Sequence, residues 1–277
     1  MPVRFFIPNI RTKTMKRILI LLFVCITAFT GVSAQTPFSF NDLVSAKRVG
    51  DPQLSPDGKR VAFTIGVVNK AENRTVTHIY VVKIDGSDQK QLTTGTASAS
   101  SPRWSPDGDH IAYTTGGQIW VMEEDGDDKE QVTKISTGAG NPVWSQDGKW
   151  IAFSSEVYPE CSSDDCNKVE EEKAETTKMK AKVSERLLFK HWNEWRDRKR
   201  AHVFVIPKDG GIARDLTPGD FDSPPYAAST GVDYAFSPDG KEIAFLRNPD
   251  KVEATSTNSD LYVMPLNGGS ARNITAG

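Results

Sequence analysis

A serine nucleophile asks for a serine on a sharp turn, commonly spelled Gly-x-Ser-x-Gly, with a histidine and an acid as partners. This sequence has no such stretch. Its recurrent serines, among them Ser55, Ser105, Ser145 and Ser237, each stand two residues before an aspartate in the same short motif. A residue repeated at one place in every copy is expected to serve structure. The histidines His78, His110, His191 and His202 are scattered, with no i, i+4 pair, and are read as surface or hairpin positions. His191 stands out between Lys190 and Trp192, with Glu194 and Asp197 near enough in sequence to partner it. Cys161 and Cys166, spaced C-x4-C, lack the second cysteine pair or histidine pair of a four-ligand metal shell. In an exported chain they suit a local disulfide of modest stabilising effect, because the loop it closes is short. No Gly-x4-Gly-Lys-Ser/Thr occurs, and Glu123 to Asp128 lacks the alternation of a calcium loop. No glycosidase pair can be picked from the 36 acids. No metal and no cofactor are expected, and no catalytic centre can be named.

The elements that must carry these residues follow from a repeat. Leu54-Ser55-Pro56-Asp57-Gly58-Lys59-Arg60-Val61-Ala62-Phe63 returns as Trp104 to Tyr113, Trp144 to Phe153 and Phe236 to Phe245. Each copy has a second half, in which a strand-like triplet such as Ile79-Tyr80-Val81 leads to Asp-Gly or Asn-Gly and then to Leu-Thr, Val-Thr or Ile-Thr. Proline presets φ, aspartate caps the turn and glycine takes the positive φ that closes a hairpin. Ile-Ala-Phe alternates, so Ile and Phe face one sheet surface and alanine the other. The pattern predicts an all-β chain: a partial β-propeller of four four-stranded blades, with a helical insertion in the third blade.

That insertion, residues 154–200, explains why Ser145 and Ser237 lie about one blade too far apart. It holds the cysteine pair, a stretch rich in both charge signs, and two apolar rows. Met179, Val183 and Leu187 fall at i, i+4, i+8; Leu188, Trp192 and Trp195 fall at i, i+4, i+7. The period predicts a helix that packs back through its tryptophans. His191, Trp192, Glu194 and Trp195 are the candidate gate or chamber contacts.

Residues 1–34 read as an N-terminal extension and export signal. Lys16-Arg17 precedes the apolar run Ile18 to Phe29, and Val32-Ser33-Ala34 offers a cleavage site before Gln35. Met15 is the natural start of such a signal, which makes Met1 to Thr14 an upstream addition. The run is short for a membrane span, so no membrane association is expected after cleavage, and a periplasmic or secreted location follows. Five of the 34 bases lie in this segment and none of the 36 acids, which leaves 29 bases against 36 acids in residues 35–277, a net of −7. Phosphate binding needs a basic field; nucleic acid is excluded as a partner.

Ser-Pro-Asp-Gly-Lys repeats are similar to those of TolB-like propellers and of the propellers of the prolyl-oligopeptidase family of serine peptidases. Tyr158-Pro159-Glu160-Cys161, Cys166-Asn167-Lys168 and Leu187 to Trp195 resemble the exported dipeptidyl-peptidase and acylaminoacyl-peptidase-like members of that family, and Ser256 to Tyr262 resembles their following blade. The resemblance covers residues 38–277. It implies a seven- or eight-bladed propeller over a C-terminal α/β-hydrolase domain with serine, aspartate and histidine, which filters the oligopeptides that reach it. None of those three residues has a matching position here. The sequence stops after Ile274-Thr275-Ala276-Gly277, where a fourth blade's last strand ends. Residues 35–277 are accordingly expected to be an incomplete N-terminal propeller that meets its oligopeptide substrate through the missing hydrolase domain. The other reading is a free-standing TolB-like propeller that binds a protein partner in the periplasm. Assembly into a homo-oligomer is compatible with both.

Overall fold

The computed structural model describes residues 37–178, 181, 184, 187, 189–191, 194–196, 198–226 and 232–276. The export signal and its cleavage site at Ala34 and Gln35 lie outside the described residues, as do Trp192 and the side chains of His191 and Glu194. Two compact units are present, Met1–Ser45 and Ala46–Gly277. In the first, helix α1 (Phe40–Ser45) opens on Ser39, whose Oγ donates to Asp42 Oδ2 at 2.7 Å. That bond, with the Ser39 amide, holds the Asp42 carboxyl below its usual range.

The second unit is built from four four-stranded antiparallel sheets. Blade one is β1 (Arg48–Leu54), β2 (Arg60–Asn69), β3 (Arg74–Lys83) and β4 (Lys90–Gln91). Blade two is β5 (Ala99–Trp104), β6 (His110–Thr115), β7 (Gln118–Glu123) and β8 (Glu130–Gln131). Blade three contains β9 (Gly140–Trp144) and β10 (Trp150–Val157); helix α2 (Asp164–Thr176) and a small ribbon, β11 (Lys190–His191) with β12 (Glu194–Trp195), interrupt it before β13 (Arg200–Pro207) and β14 (Arg214–Asp215). Blade four is β15 (Tyr234–Phe236), β16 (Glu242–Arg247), β17 (Asp260–Pro265) and β18 (Arg272–Asn273).

The repeated turn is a hydrogen-bond relay. In all four copies the serine Oγ accepts a backbone N–H from five residues on, that of Arg60, His110, Trp150 or Glu242, at 2.9 Å. The same hydroxyl donates to the aspartate two residues ahead, at 2.5–2.7 Å. Each aspartate also accepts the N–H two residues further on, at 3.1–3.2 Å. The serine bond is the main reason that Asp57, Asp107, Asp147 and Asp239 are held below the usual carboxylate range. Glycine closes the turn with positive φ, 69° at Gly148. The threonine of the second half is equally structural. Thr93, Thr133, Thr217 and Thr275 accept the amides of Ile79, Ile119, Val203 and Leu261 at 2.8–2.9 Å.

Alternation along the second strand builds the core. Ala62, with Ile79 and Val81, meets Ile111 and Tyr113 of the next blade. Ala112 meets Ile151 and Phe153, and Ala152 meets Ile243 and Phe245. Alanine is fully buried at all three positions, because only a methyl lets the next blade's Ile and its Tyr or Phe approach. First strands are also stitched: Trp104 Nε1 donates to Gln53 O and Trp144 Nε1 to Arg103 O, each at 3.0 Å. Arg103 reaches back to both carboxylate oxygens of Asp51 at 2.8 and 3.0 Å.

The helix expected near 179–195 is corrected at its end, where Lys190–His191 and Glu194–Trp195 are strands, while Met179, Val183 and Leu188 lie outside the described residues. The two strands form a ribbon in which Lys190 pairs with Trp195 and His191 with Glu194. Cross-strand stacking explains the preference: Phe189 and Trp195 stack with centroids 6.2 Å apart, and Lys190 Nζ lies 5.1 Å from the Trp195 ring. The insertion's helix is α2, earlier in the chain. The sheet also holds residues to Val157, so the excursion spans 158–199 rather than beginning at 154.

Two substitutions test this packing. Ala112→Leu should cost about 1–3 kcal/mol by overpacking, whereas Ala244→Leu, at a partly exposed equivalent, should change urea-unfolding stability by under about 0.5 kcal/mol. Ser145→Ala, which leaves the Trp150 amide without its acceptor, should cost about 1–2 kcal/mol.

Candidate functional site: the connector end of the blades

Every blade turns twice at one end with the stereotyped Ser-x-Asp-Gly and Asp-Gly or Asn-Gly turns. At the other end lie the second-to-third-strand connectors, and these differ in every blade. They span residues 70–73, 116–117, 158–199 and 248–259. A repeat that is uniform at one end and variable at the other concentrates individual function in the variable loops.

The longest connector is rooted on entry and exit. On entry, the Cys161–Cys166 disulfide is formed, with Cα atoms 5.4 Å apart. Ser163 caps α2 by accepting the Cys166 amide. Asn167, buried one position further, accepts the Tyr158 amide at 2.9 Å and donates to Ser163 O at 3.3 Å. Asp164 accepts the Ser136 amide at 2.9 Å and its hydroxyl at 2.8 Å, which ties the helix start to the link between blades two and three. The rest of α2 is polar and solvated: among its residues only Asn167 is buried.

On exit, Arg196 is nine-tenths buried and pairs with the still more deeply buried Asp222. Its other amino group lies 3.1 Å from Glu253 of blade four, and its Cζ sits 4.9 Å from the Tyr226 ring. Asp222 also accepts the Ala201 amide at 2.9 Å. Next to it, Arg200 pairs with Asp220 at 2.9 Å, and Arg247 lies against Phe221 and Tyr262 with its Cζ 3.4 and 5.7 Å from the ring centroids. Burial pushes the Asp222 carboxyl up to about 6, against the opposing pull of Arg196 and the Ala201 amide; Glu253 adds to the rise and Arg200 opposes it.

The candidate gate residues fare differently. Trp195 is exposed on the ribbon, 55% accessible, and stacks with Phe189 rather than folding into a core. His191 and Glu194 are paired positions of that ribbon. The sequence missed Arg196, Asp222 and Glu253, since an ion cluster assembled from separate loops has no period. His202, expected at a surface or hairpin position, lies on β13 opposite Ser155. This histidine is buried, not at the surface, with Nδ1 2.7 Å from Asp215 Oδ2 and Nε2 2.9 Å from Gly219 O. Both ring nitrogens are thus occupied by contacts within the blade. Among the described residues no group of three or more histidines, cysteines or acids could hold a metal, and no helix is long and apolar enough to cross a membrane.

A blade built on this relay, repeated and stacked, defines a class. Residues 41–185 match the model of the TolB beta propeller domain, and the chain belongs to that family. It is 35% identical over 243 residues to dipeptidyl-peptidase 5 of Porphyromonas endodontalis, a match that covers 85% of this chain and 34% of that protein. It is 28% identical over 230 residues to the uncharacterized peptidase YuxL of Bacillus subtilis, covering 81% of this chain and 33% of that one. The acylaminoacyl peptidase of Pyrococcus horikoshii shares the fold, with a TM-score of 0.61 at 16% identity over 84% of this chain and 33% of its own. The chain spans about a third of the length of the curated relatives it matches.

Asp222 gives a pH test. Its folded-state value is raised, so the unfolded chain releases this proton near pH 4 and the folded chain only near 6. Its contribution is therefore fully present below about pH 4 and is lost as pH rises through 6, by up to about 3 kcal/mol. Wild type should lose stability relative to Asp222→Asn across that window in paired thermal melts; parallel pH profiles would contradict the assignment.

Proposed function

We propose that this chain is the N-terminal propeller portion of an exported serine exopeptidase, and that it admits short oligopeptides to a catalytic α/β-hydrolase domain outside residues 1–277. The observation that carries the reading is the 35% identity with dipeptidyl-peptidase 5, which extends over 85% of this chain and involves about a third of that protein. Two further features support it. The connector of blade three is much longer than those of blades one, two and four, and is tied down at both roots, as an arm that screens an opening must be. The disulfide and the apolar leader suit an oxidising compartment outside the cytoplasm, which we take to be the periplasm or the medium.

In this reading the propeller does no bond chemistry. It restricts which chains reach the catalytic centre, and its connector end supplies charged and aromatic groups along their path. The leader is removed near Ala34, and the soluble remainder acts on peptides.

The test is the intact mass and activity of the natural gene product, isolated with antibody to residues 38–277. A product well above the 30.5 kDa of this chain that releases dipeptides or acylated residues from chromogenic peptides is expected. A product with no activity on either substrate class would overturn the proposal.

A further inference from the structure

Four blades built on one register allow each position to be compared with its three counterparts. The third residue of the inter-blade row on the second strand, counted from the turn, is Ile65 in blade one, Thr115 in blade two, Ser155 in blade three and Arg247 in blade four. Its row partners are Ile111 and Tyr113, Ile151 and Phe153, and Ile243 and Phe245 in the last three blades. In blades two and three the hydroxyl has a structural role. Thr115 donates to Ser98 O at 3.0 Å and Ser155 to Gly138 O at 2.6 Å, which fastens the link that enters the blade. In blade four Ser223 fastens the link instead, donating to Leu246 O at 2.8 Å. Arg247 is thus relieved of the role its counterparts fill.

Its neighbours sharpen the contrast. Arg196 is matched by Asp222 and Glu253, and Arg200 by Asp220. Arg247 has no carboxylate partner among the described residues, and its Nε is buried without a hydrogen bond. Its guanidinium lies against the Phe221 ring and near that of Tyr262. A ring-held guanidinium has already lost its rotamer freedom, and its planar fork matches a carboxylate in two parallel hydrogen bonds. The acids around it are engaged elsewhere: Asp222 and Glu253 by Arg196, Asp220 by Arg200, and Asp260, its pair on β17, by Asn273 Nδ2 and the Thr275 hydroxyl.

We propose that Arg247 is a carboxylate-binding residue at the connector end of blade four, and that it receives a carboxylate of the peptide as the peptide passes the arm. This rests on the peptide-admitting reading above. The carboxylate is either the peptide's own C-terminus or an acidic side chain; the chemistry of recognition is the same.

The experiment measures, by calorimetry on the full chain, the binding of tetra-alanine with a free C-terminus, of its C-terminal amide, and of the amide with glutamate at the third position. Wild type should bind the free acid at least about tenfold tighter than the plain amide, the size of one charge-assisted hydrogen-bonding contact. Arg247→Gln should abolish the difference with little effect on amide binding. If Arg247→Gln fails to fold, Arg247→Lys keeps stem and charge, and it should lose most of the preference because it lacks the fork. Tight binding of the free acid alone assigns the C-terminus, and tight binding of the glutamate peptide assigns the side chain; either supports the proposal. Equal binding of all three peptides, no binding of any, or a preference that survives in Arg247→Gln overturns it. Equal binding removes Arg247 but leaves the peptide-admitting reading standing. A natural gene product without peptidase activity strikes that reading and not the carboxylate preference.

Discussion

The structure depends on one steric allowance: a methyl group, and nothing larger, at the centre of each blade's second strand where another blade follows. Ala62, Ala112 and Ala152 are fully buried because each receives the Ile and the aromatic ring of the next blade. Every blade thus presents a small face to its successor and a large face to its predecessor, and the stack grows by one repeated interface. Cohesion is of nearest-neighbour kind. The Trp104 and Trp144 bonds to the preceding first strand fix the angle at which the blades meet.

Because that interface is built mainly on the sheet faces and the turn end is held by its own serine–aspartate relay, the connector end is free to vary. Blade two spends two residues there, 116–117, while blade three spends residues 158–199. The excursion costs the sheet nothing in register: β10 and β13 pair without a break from Trp150↔Pro207 to Val157↔Arg200. What the long arm needs is anchorage, and both roots provide it. Asn167 and Asp164 do so with neutral or partly exposed hydrogen bonds. Arg196 does so with a buried charge pair, a costlier device that is intolerant of losing one partner.

Much of this was legible in the sequence. The turn, the blade count and the disulfide follow from residue types with strong local requirements, and such residues report their structure wherever they stand. The arm was legible as an interruption but not in its form. Leu188, Trp192 and Trp195 fall at helical spacing, yet Trp195 belongs to a ribbon in which aromatic stacking across two strands outweighs the period. The true helix, Asp164–Thr176, is polar on nearly every side and has no apolar stripe to detect. Its only sequence mark was the start signal, Ser163 followed by Asp164 and Asp165. Pairings between distant loops were not readable at all. Asp222 stands 26 residues after Arg196, and nothing in either neighbourhood distinguishes them from solvated surface charges. The same holds for His202, whose burial comes from Asp215 and Gly219 beyond the next turn.

The central claim is that the arm is a separate element fastened to an independent propeller by the Arg196 root. Hydrogen exchange followed by mass spectrometry on Arg196→Gln tests it most directly. The account predicts faster exchange in residues 189–199 and in the blade-four loop around Glu253, with β5, β6, β9 and β10 unchanged from wild type. Faster exchange spread evenly over all four blades, or no change in 189–199, would contradict it.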